Sequence, residues 1–259
     1  MGILNLTPDS FSDGGLFTDV DAALFHAETL IKDGADILDI GAESSRPGAV
    51  RVSADDEQKR LEPFLKKYHS CFDVPLSLDT YKPEIAELGL GYGVSMINDI
   101  TGLQGDPRMA EVVSKGKVPV VVMHMQNKPE TMQTHPTYTT VVDEVKQFLS
   151  VSIDIARDAG IQTIIVDPGI GFGKSLEHNL LLLNHLDSFS DLNCPLLIGT
   201  SRKSFIGQLT GAPVDDRLEG TLVSNLIALQ KGARLFRVHD VKSIKKMFQV
   251  YFAIKDVHV

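Results

Sequence analysis

No run of apolar residues in this chain approaches the ~18 needed to cross a bilayer. Only two cysteines occur, Cys71 and Cys194, without metal-ligand spacing. A disulfide between them stays open, and two buried thiols are the expectation. There is no basic surplus either: 25 Lys and Arg face 34 Asp and Glu, for a net charge of −9. That argues against a nucleic-acid or anionic-membrane surface. It leaves room for a small anion held in a locally basic pocket. The opening residues, MGILNLTPDSF, lack the charged and apolar regions of a signal peptide, so a cytoplasmic location is expected. No low-complexity segment or Gly-, Ser- and Pro-rich linker divides the chain, so one domain is expected over 1–259.

Short apolar runs rich in Val, Ile and Leu are spread evenly instead. They cover 2–6, 36–41, 75–80, 95–100, 119–124, 163–167, 196–199 and 235–238. Each has the length of a strand. Between them lie segments of helical spacing. Ala23, Ala27, Leu30 and Ile31 share one face; so do Val145, Phe148, Leu149, Ser152 and Ile153. Strands apolar on both faces are parallel strands covered by helices. Eight such units predict an α/β fold, a (β/α)8 TIM barrel, with a doubly wound open sheet as the alternative.

Polar residues gather at the carboxyl end of each run: Asn5, Glu43 to Arg46, Asp79-Thr80, Asn98-Asp99, His124, Asp167, GTSRK at 199–203, and Arg237 with His239. Barrel enzymes build their active sites at that end. Arg237 and His239 are two apart in LFRVHDV and share a strand face. With Lys203 they suggest an anion site. Ser201 reads either as a helix cap or as part of the same site. Asp79, Asn98 and Asp167 suit a heterocycle, since a carboxylate accepts paired N–H bonds and an amide both donates and accepts. The plainer reading is a hydrogen-bond network across the barrel top. VDPGIGFGK is neither a Walker loop nor a dinucleotide fingerprint. Its glycines would let backbone approach a ligand. Two long loops, NLTPDSFSDGGLF and GAESSRPGAVRVS, read as mobile lids with Phe11 and Arg46 as contacts.

Taken in order, NLTPDSFSDGG, ESSRPGA, LDT, IND, MHMQ, DPGIGFGK, GTSRKSFIG and RVHDV resemble the dihydropteroate synthase family over nearly the whole chain. The resemblance implies condensation of 6-hydroxymethyl-7,8-dihydropterin pyrophosphate with p-aminobenzoate. The products are dihydropteroate and pyrophosphate, in folate synthesis, and the family is the sulfonamide target. It implies a pterin pocket of Asp79, Asn98, Asp167 and Lys203 with Met123 and Phe172 as walls. Asp79, Asp167 and Lys203 would form the catalytic set. Asn5, Arg46, Arg237 and His239 would hold the pyrophosphate, with Asn5 near Mg²⁺. Phe11, Ser45, Arg46, Pro47 and Ser201 would frame the aminobenzoate.

The resemblance also implies a homodimer joined through helices near the carboxyl end. It leaves room for a chain cut from a longer protein, fused to another folate-pathway enzyme. No nucleic acid or membrane partner is expected. Three departures stand out: Ser45 where the family has Thr, Asn127 where Gly is common, and a start directly at the first strand. A pterin-binding methyl-transfer module working with a corrinoid protein would need neither GTSRK nor RVHD. A non-catalytic paralogue would not need the full polar set.

Overall fold

The computed structural model describes residues 1–7, 16–44, 49–127 and 131–257. Along the described chain run β1 (Gly2–Asn5), α1 (Leu16–Lys32), β2 (Leu38–Gly41), α2 (Ala54–Cys71), β3 (Leu76–Asp79), α3 (Pro83–Gly91), β4 (Met96–Asp99) and α4 (Arg108–Gly116). Then come β5 (Val120–Met123), α5 (Val141–Asp158), β6 (Ile164–Asp167), α6 (Leu176–Asn184), β7 (Leu197–Ile198), α7 (Ser204–Thr210), α8 (Leu218–Gln230), β8 (Leu235–Phe236) and α9 (Val241–Lys255). Strands β1 to β6 pair in sequence order, and β7 pairs with β8, all in parallel. Two parallel bridges, Val166 with Leu196 and Gly2 with Val238, join these sheets at both edges. The ring is therefore closed, as a TIM barrel requires.

Alternation along each strand explains the apolar runs. Leu38, Ile40, Leu76, Leu78, Ile97, Val120, Val122, Ile164 and Val166 belong to the large cluster shared with the helices, including Ala27, Leu61, Phe64, Val145 and Leu149. The intervening residues turn inward. Met96, Val121, Ile165 and Leu197 form a separate plug, with Met1, Ile37 and Leu235 against it. Both strand faces are thus apolar at the amino end, which is why no polar alternation marks the strands there. One layer up, the inward residues change to Asp39, Ser77, Asn98 and Arg237.

The helices start where local chemistry allows. Ser53 caps α2 by accepting the Asp56 N–H at 3.1 Å, ahead of an acidic first turn. Ser175 and His178 form a reciprocal capping box at α6. The strands are shorter than the sequence runs. Ladder-like bonds still reach one residue further, from Thr80 N–H to Asn98 carbonyl at 3.1 Å and from His124 N–H to Asp167 carbonyl at 3.0 Å. The chain then turns away into the loops that carry the site. The expectation of two buried thiols is not met: both cysteines are free, Cys71 is exposed and Cys194 is half-buried. Cys71 closes α2 on its solvent side.

Candidate active site

Strand register sets the first relationships. Asn98 stands directly opposite Asp79, and Asp167 opposite Met123. Each pair lies at the carboxyl end of its strands. Gly41 lies beside them without a side chain; a Cβ there would come within 3.3 Å of the Asp79 Cβ. Asp99, the neighbour of Asn98, faces the other way. Its carboxylate accepts the Thr101 N–H and hydroxyl, both at 2.7 Å, and the Leu103 N–H at 2.9 Å. It shapes the turn after β4 and takes no part in the pocket.

Asp79 accepts from Arg237 Nη2 at 2.7 Å. Burial pushes its carboxyl up, to about 7, while Arg237 pulls it back down. Arg237 Nε binds Asp39 at 2.5 Å, and Asn98 Nδ2 donates to the same carboxylate at 3.3 Å. The network across the barrel top is therefore real, and Arg237 is part of it. Asp39 was not singled out from sequence. The signal was there: in DILDIG it shares a face with Ile37 and Gly41, so it points into the barrel.

Asp167 is buried, and burial raises its carboxyl to about 6. Its Oδ1 accepts the Gly169 N–H at 2.7 Å. The glycines of the following loop serve the protein's own backbone and side chains. Gly169 has φ +68°, and a Cβ there would lie 1.9 Å from the His124 carbonyl oxygen. At Gly173, φ is +61° and a Cβ would meet the Gln126 carbonyl at 2.5 Å. The expected close approach is to the loop after β5. Underneath lies Lys174, only 3% exposed. It donates to the carbonyls of Gly169 and Phe172, each at 2.9 Å, and meets His124 Nδ1 at 2.8 Å. Burial lowers this amine to about 7. Phe172 joins Met123, Ile100 and Met132 in an apolar wall, and Lys203 Nζ sits over the Phe172 ring.

The four polar residues of GTSRK have four different surroundings. Thr200 is fully buried and accepts from Ser224 Oγ at 2.9 Å and Asn225 Nδ2 at 3.0 Å. Arg202 adopts φ +56° and makes a two-pronged pair with Asp240, at 2.5 and 3.0 Å. Arg217 braces its carbonyl at 3.0 Å. Ser201 is not the helix cap: Lys203 holds that position before α7. Its hydroxyl pairs with His239 Nδ1 at 3.0 Å and accepts the His239 N–H at 3.1 Å. Burial, then Arg237 and Arg202, lowers His239 to about 4, so its ring is neutral at pH 7. Arg237 and His239, expected to aim at one spot, thus have different partners. Asn5 ends β1 half-buried. Phe11, Ser45, Arg46 and Pro47 lie outside the described residues. Asn127 has φ +65°, the left-handed conformation that Gly and Asn adopt most easily. That explains why an Asn can stand in a Gly position.

A closed parallel barrel whose mouth gathers two raised carboxylates, an amide, two cations and an apolar wall is a barrel enzyme's active site. Residues 1–239 match the family described as pterin binding enzyme. Dihydropteroate synthase of Bacillus subtilis is 45% identical over 256 residues, covering 98% of this chain and 87% of its own. The Xanthomonas albilineans dihydropteroate synthase solved with 4-aminobenzoic acid has a TM-score of 0.93 and 43% identity, covering 99% and 93% of the two chains. A second structure of that enzyme, in complex with 7,8-dihydropteroate, has a TM-score of 0.89 and 41% identity at the same coverage. The chain belongs to the pterin binding enzymes, and within them to the dihydropteroate synthases. Its reaction is the folate-synthesis condensation of 6-hydroxymethyl-7,8-dihydropterin pyrophosphate with p-aminobenzoate.

Proposed function

We propose that this chain carries out the condensation by dissociative displacement, with the pterin seated on Asp79, Asn98, Asp167 and Lys203. The observation that carries this is Asp167. A buried carboxylate with one Oδ already given to Gly169 keeps its other lone pairs for a ligand. It would accept the pterin N–H bonds and stabilise the positive charge that spreads over the ring as pyrophosphate departs. Met123 and Phe172 would hold the ring's faces and keep water off the cation. Arg237 and His239 would receive the diphosphate. Neutral His239 can donate from its ring N–H without first being charged. An arylamine is already a free base at pH 7, so no strong general base is required.

The aminobenzoate would enter from the side of Ser201, with Phe11, Ser45, Arg46 and Pro47 as its other contacts. Among the described residues no group of three His, Cys, Asp or Glu gathers to hold a metal. Asn5, at the end of β1, offers a neutral amide oxygen. That donor set fits Mg²⁺ carried by the diphosphate with its own waters. When bound, Mg²⁺ would neutralise charge on the leaving group. A homodimer is supported by the exposed apolar side chains Leu209, Val223 and Ile227 on α7 and α8. Sedimentation of the wild type and Ile227→Asp tests it: a dimer converted to monomer is expected, and an unchanged species contradicts it. No described helix is long and apolar enough to cross a membrane, and the reading places the enzyme in the cytoplasm.

The test of the seating is pterin titration against Asp167→Ala and Asn98→Ala. Both should weaken binding at least tenfold, the scale of a charged hydrogen bond. Wild-type affinity in both would remove them from the site.

A further inference from the structure

We propose that Asp39 is a positioning residue for this reaction: sealed beneath the pocket, it fixes which way Asn98 and Arg237 face the substrate. This rests on the assignment of those two residues to the pterin and the diphosphate. Asp39 has no exposed surface and lies one inward layer below the pocket, so no substrate reaches it. Its Oδ1 accepts Ser77 Oγ at 2.6 Å, its ladder neighbour on β3. Its Oδ2 takes Arg237 Nε at 2.5 Å and Asn98 Nδ2 at 3.3 Å.

Two orientations follow from that one carboxylate. An amide can be turned over with little change in shape, but a carboxylate only accepts. Turning Asn98 over would set its Oδ1 against Asp39 Oδ2, acceptor against acceptor. Asn98 is therefore held with Nδ2 down and Oδ1 toward the pocket, a defined acceptor for a ring N–H. The guanidinium is planar. With Nε on Asp39 and Nη2 on Asp79 at 2.7 Å, its Nη1 edge faces away from both carboxylates. Asp39 and Arg237 each make the burial of the other tolerable, since an unpaired buried charge is costly.

Asp39→Asn keeps the shape but removes the charge, and its amide can donate as well as accept. Either orientation of Asn98 then becomes acceptable. Calorimetry with 6-hydroxymethyl-7,8-dihydropterin, and separately with pyrophosphate, would be run on wild type, Asp39→Asn, Ser77→Ala, Asn98→Ala, Arg237→Ala and the paired variants. Asp39→Asn should weaken the pterin about tenfold or more, and Ser77→Ala should do so about threefold. In an Asn98→Ala background the same Asp39→Asn change should cost under about threefold, because residues acting through one another are non-additive. Pyrophosphate should show the same pattern against Arg237→Ala. A merely structural Asp39 would lower thermal stability and leave the two affinities additive or untouched; that result overturns the proposal. If Asp39→Asn does not fold, the Ser77→Ala cycle with Asn98→Ala decides by the same criterion. If Asn98→Ala and Arg237→Ala themselves leave both ligands unaffected, the site assignment fails instead, and the positioning role falls with it.

Discussion

Lys203 Nζ lies 4.0 Å from the centroid of the Phe172 ring. The two residues come from different loops, after β7 and after β6, and their contact ties those loops together at the mouth of the barrel. Gly171 makes room for it: a Cβ there would press to 3.1 Å on Lys203 Cδ. Phe172→Leu should keep an apolar wall but lose the ring's attraction for the ammonium. Pterin affinity should fall by about 1–2 kcal/mol, the scale of a desolvated cation–π contact. Calorimetry would read this directly, and a loss confined to the second substrate would show the contact to be outside the pterin pocket.

Asp167→Asn should make the protein more stable and less active. The carboxyl is raised to about 6 from an ordinary 3.8 by burial. Between those values the folded protein holds a proton that the unfolded chain has released. Stability is therefore lost as pH rises through that window. An amide escapes the loss, a gain on the order of 2–3 kcal/mol at pH 7 that vanishes near pH 3.5. Thermal melts at the two pH values check it, and equal shifts at both would be wrong for this account. In the wild type, pterin affinity should decline as pH drops below about 6, where the carboxylate becomes protonated.

Neighbouring residues of GTSRK should fail in different ways. Thr200→Val removes the acceptor for Ser224 and Asn225 in a site without solvent. A loss of about 1–3 kcal/mol in stability is expected, with substrate KM values little changed. Ser201→Ala gives up the bonds to His239 at the edge of the open pocket, so it should cost less stability than Thr200→Val and raise the KM for p-aminobenzoate. Melting curves beside steady-state kinetics separate the two, and the reverse assignment of effects would contradict the site.

Lys174→Met should loosen the loop that carries Phe172. The carbonyls of Gly169 and Phe172 lose their common donor. The Gly169 carbonyl keeps the Phe172 N–H at 3.1 Å, so the cost falls on the Phe172 carbonyl, about 1–3 kcal/mol for a buried group that loses its donor, partly offset by removing an amine that burial has lowered to about 7. The melting temperature should fall by several degrees, at ~2–4 °C per kcal/mol for a chain of this size. The KM for the pterin substrate should rise with kcat less affected. A stable variant with normal KM would show that the loop holds itself.

Much of this was legible in the residues, and the reasons differ from place to place. The barrel could be read because the runs are apolar on both strand faces, while polar groups gather toward the carboxyl end. Asp79 and Asp167 were visible because each lies at the carboxyl end of an apolar run, and Asn98 because it pairs with Asp99 in a polar doublet there. Asp39 was not singled out because it sits in the middle of one, where only inward alternation marks it. The left-handed turn at Arg202 has no sequence signature, since it is imposed by Asp240, Thr221 and Arg217 from elsewhere in the chain. Lys174 was not singled out, because its burial depends on how the loops after β5 and β6 meet. Phe11 and Arg46 were marked as lid contacts from the loops themselves, but which ligand they meet, and the roles of Ser45 and Pro47, came from family resemblance alone, since neither periodicity nor charge assigns a ligand in such loops.

The most direct test of the central claim is a coupled assay of pyrophosphate release from 6-hydroxymethyl-7,8-dihydropterin pyrophosphate, with and without p-aminobenzoate. The account predicts release that depends on the second substrate, matches dihydropteroate formed one for one, and collapses in Asp167→Asn. Release at the same rate without p-aminobenzoate, or none at all with both substrates present, would contradict it.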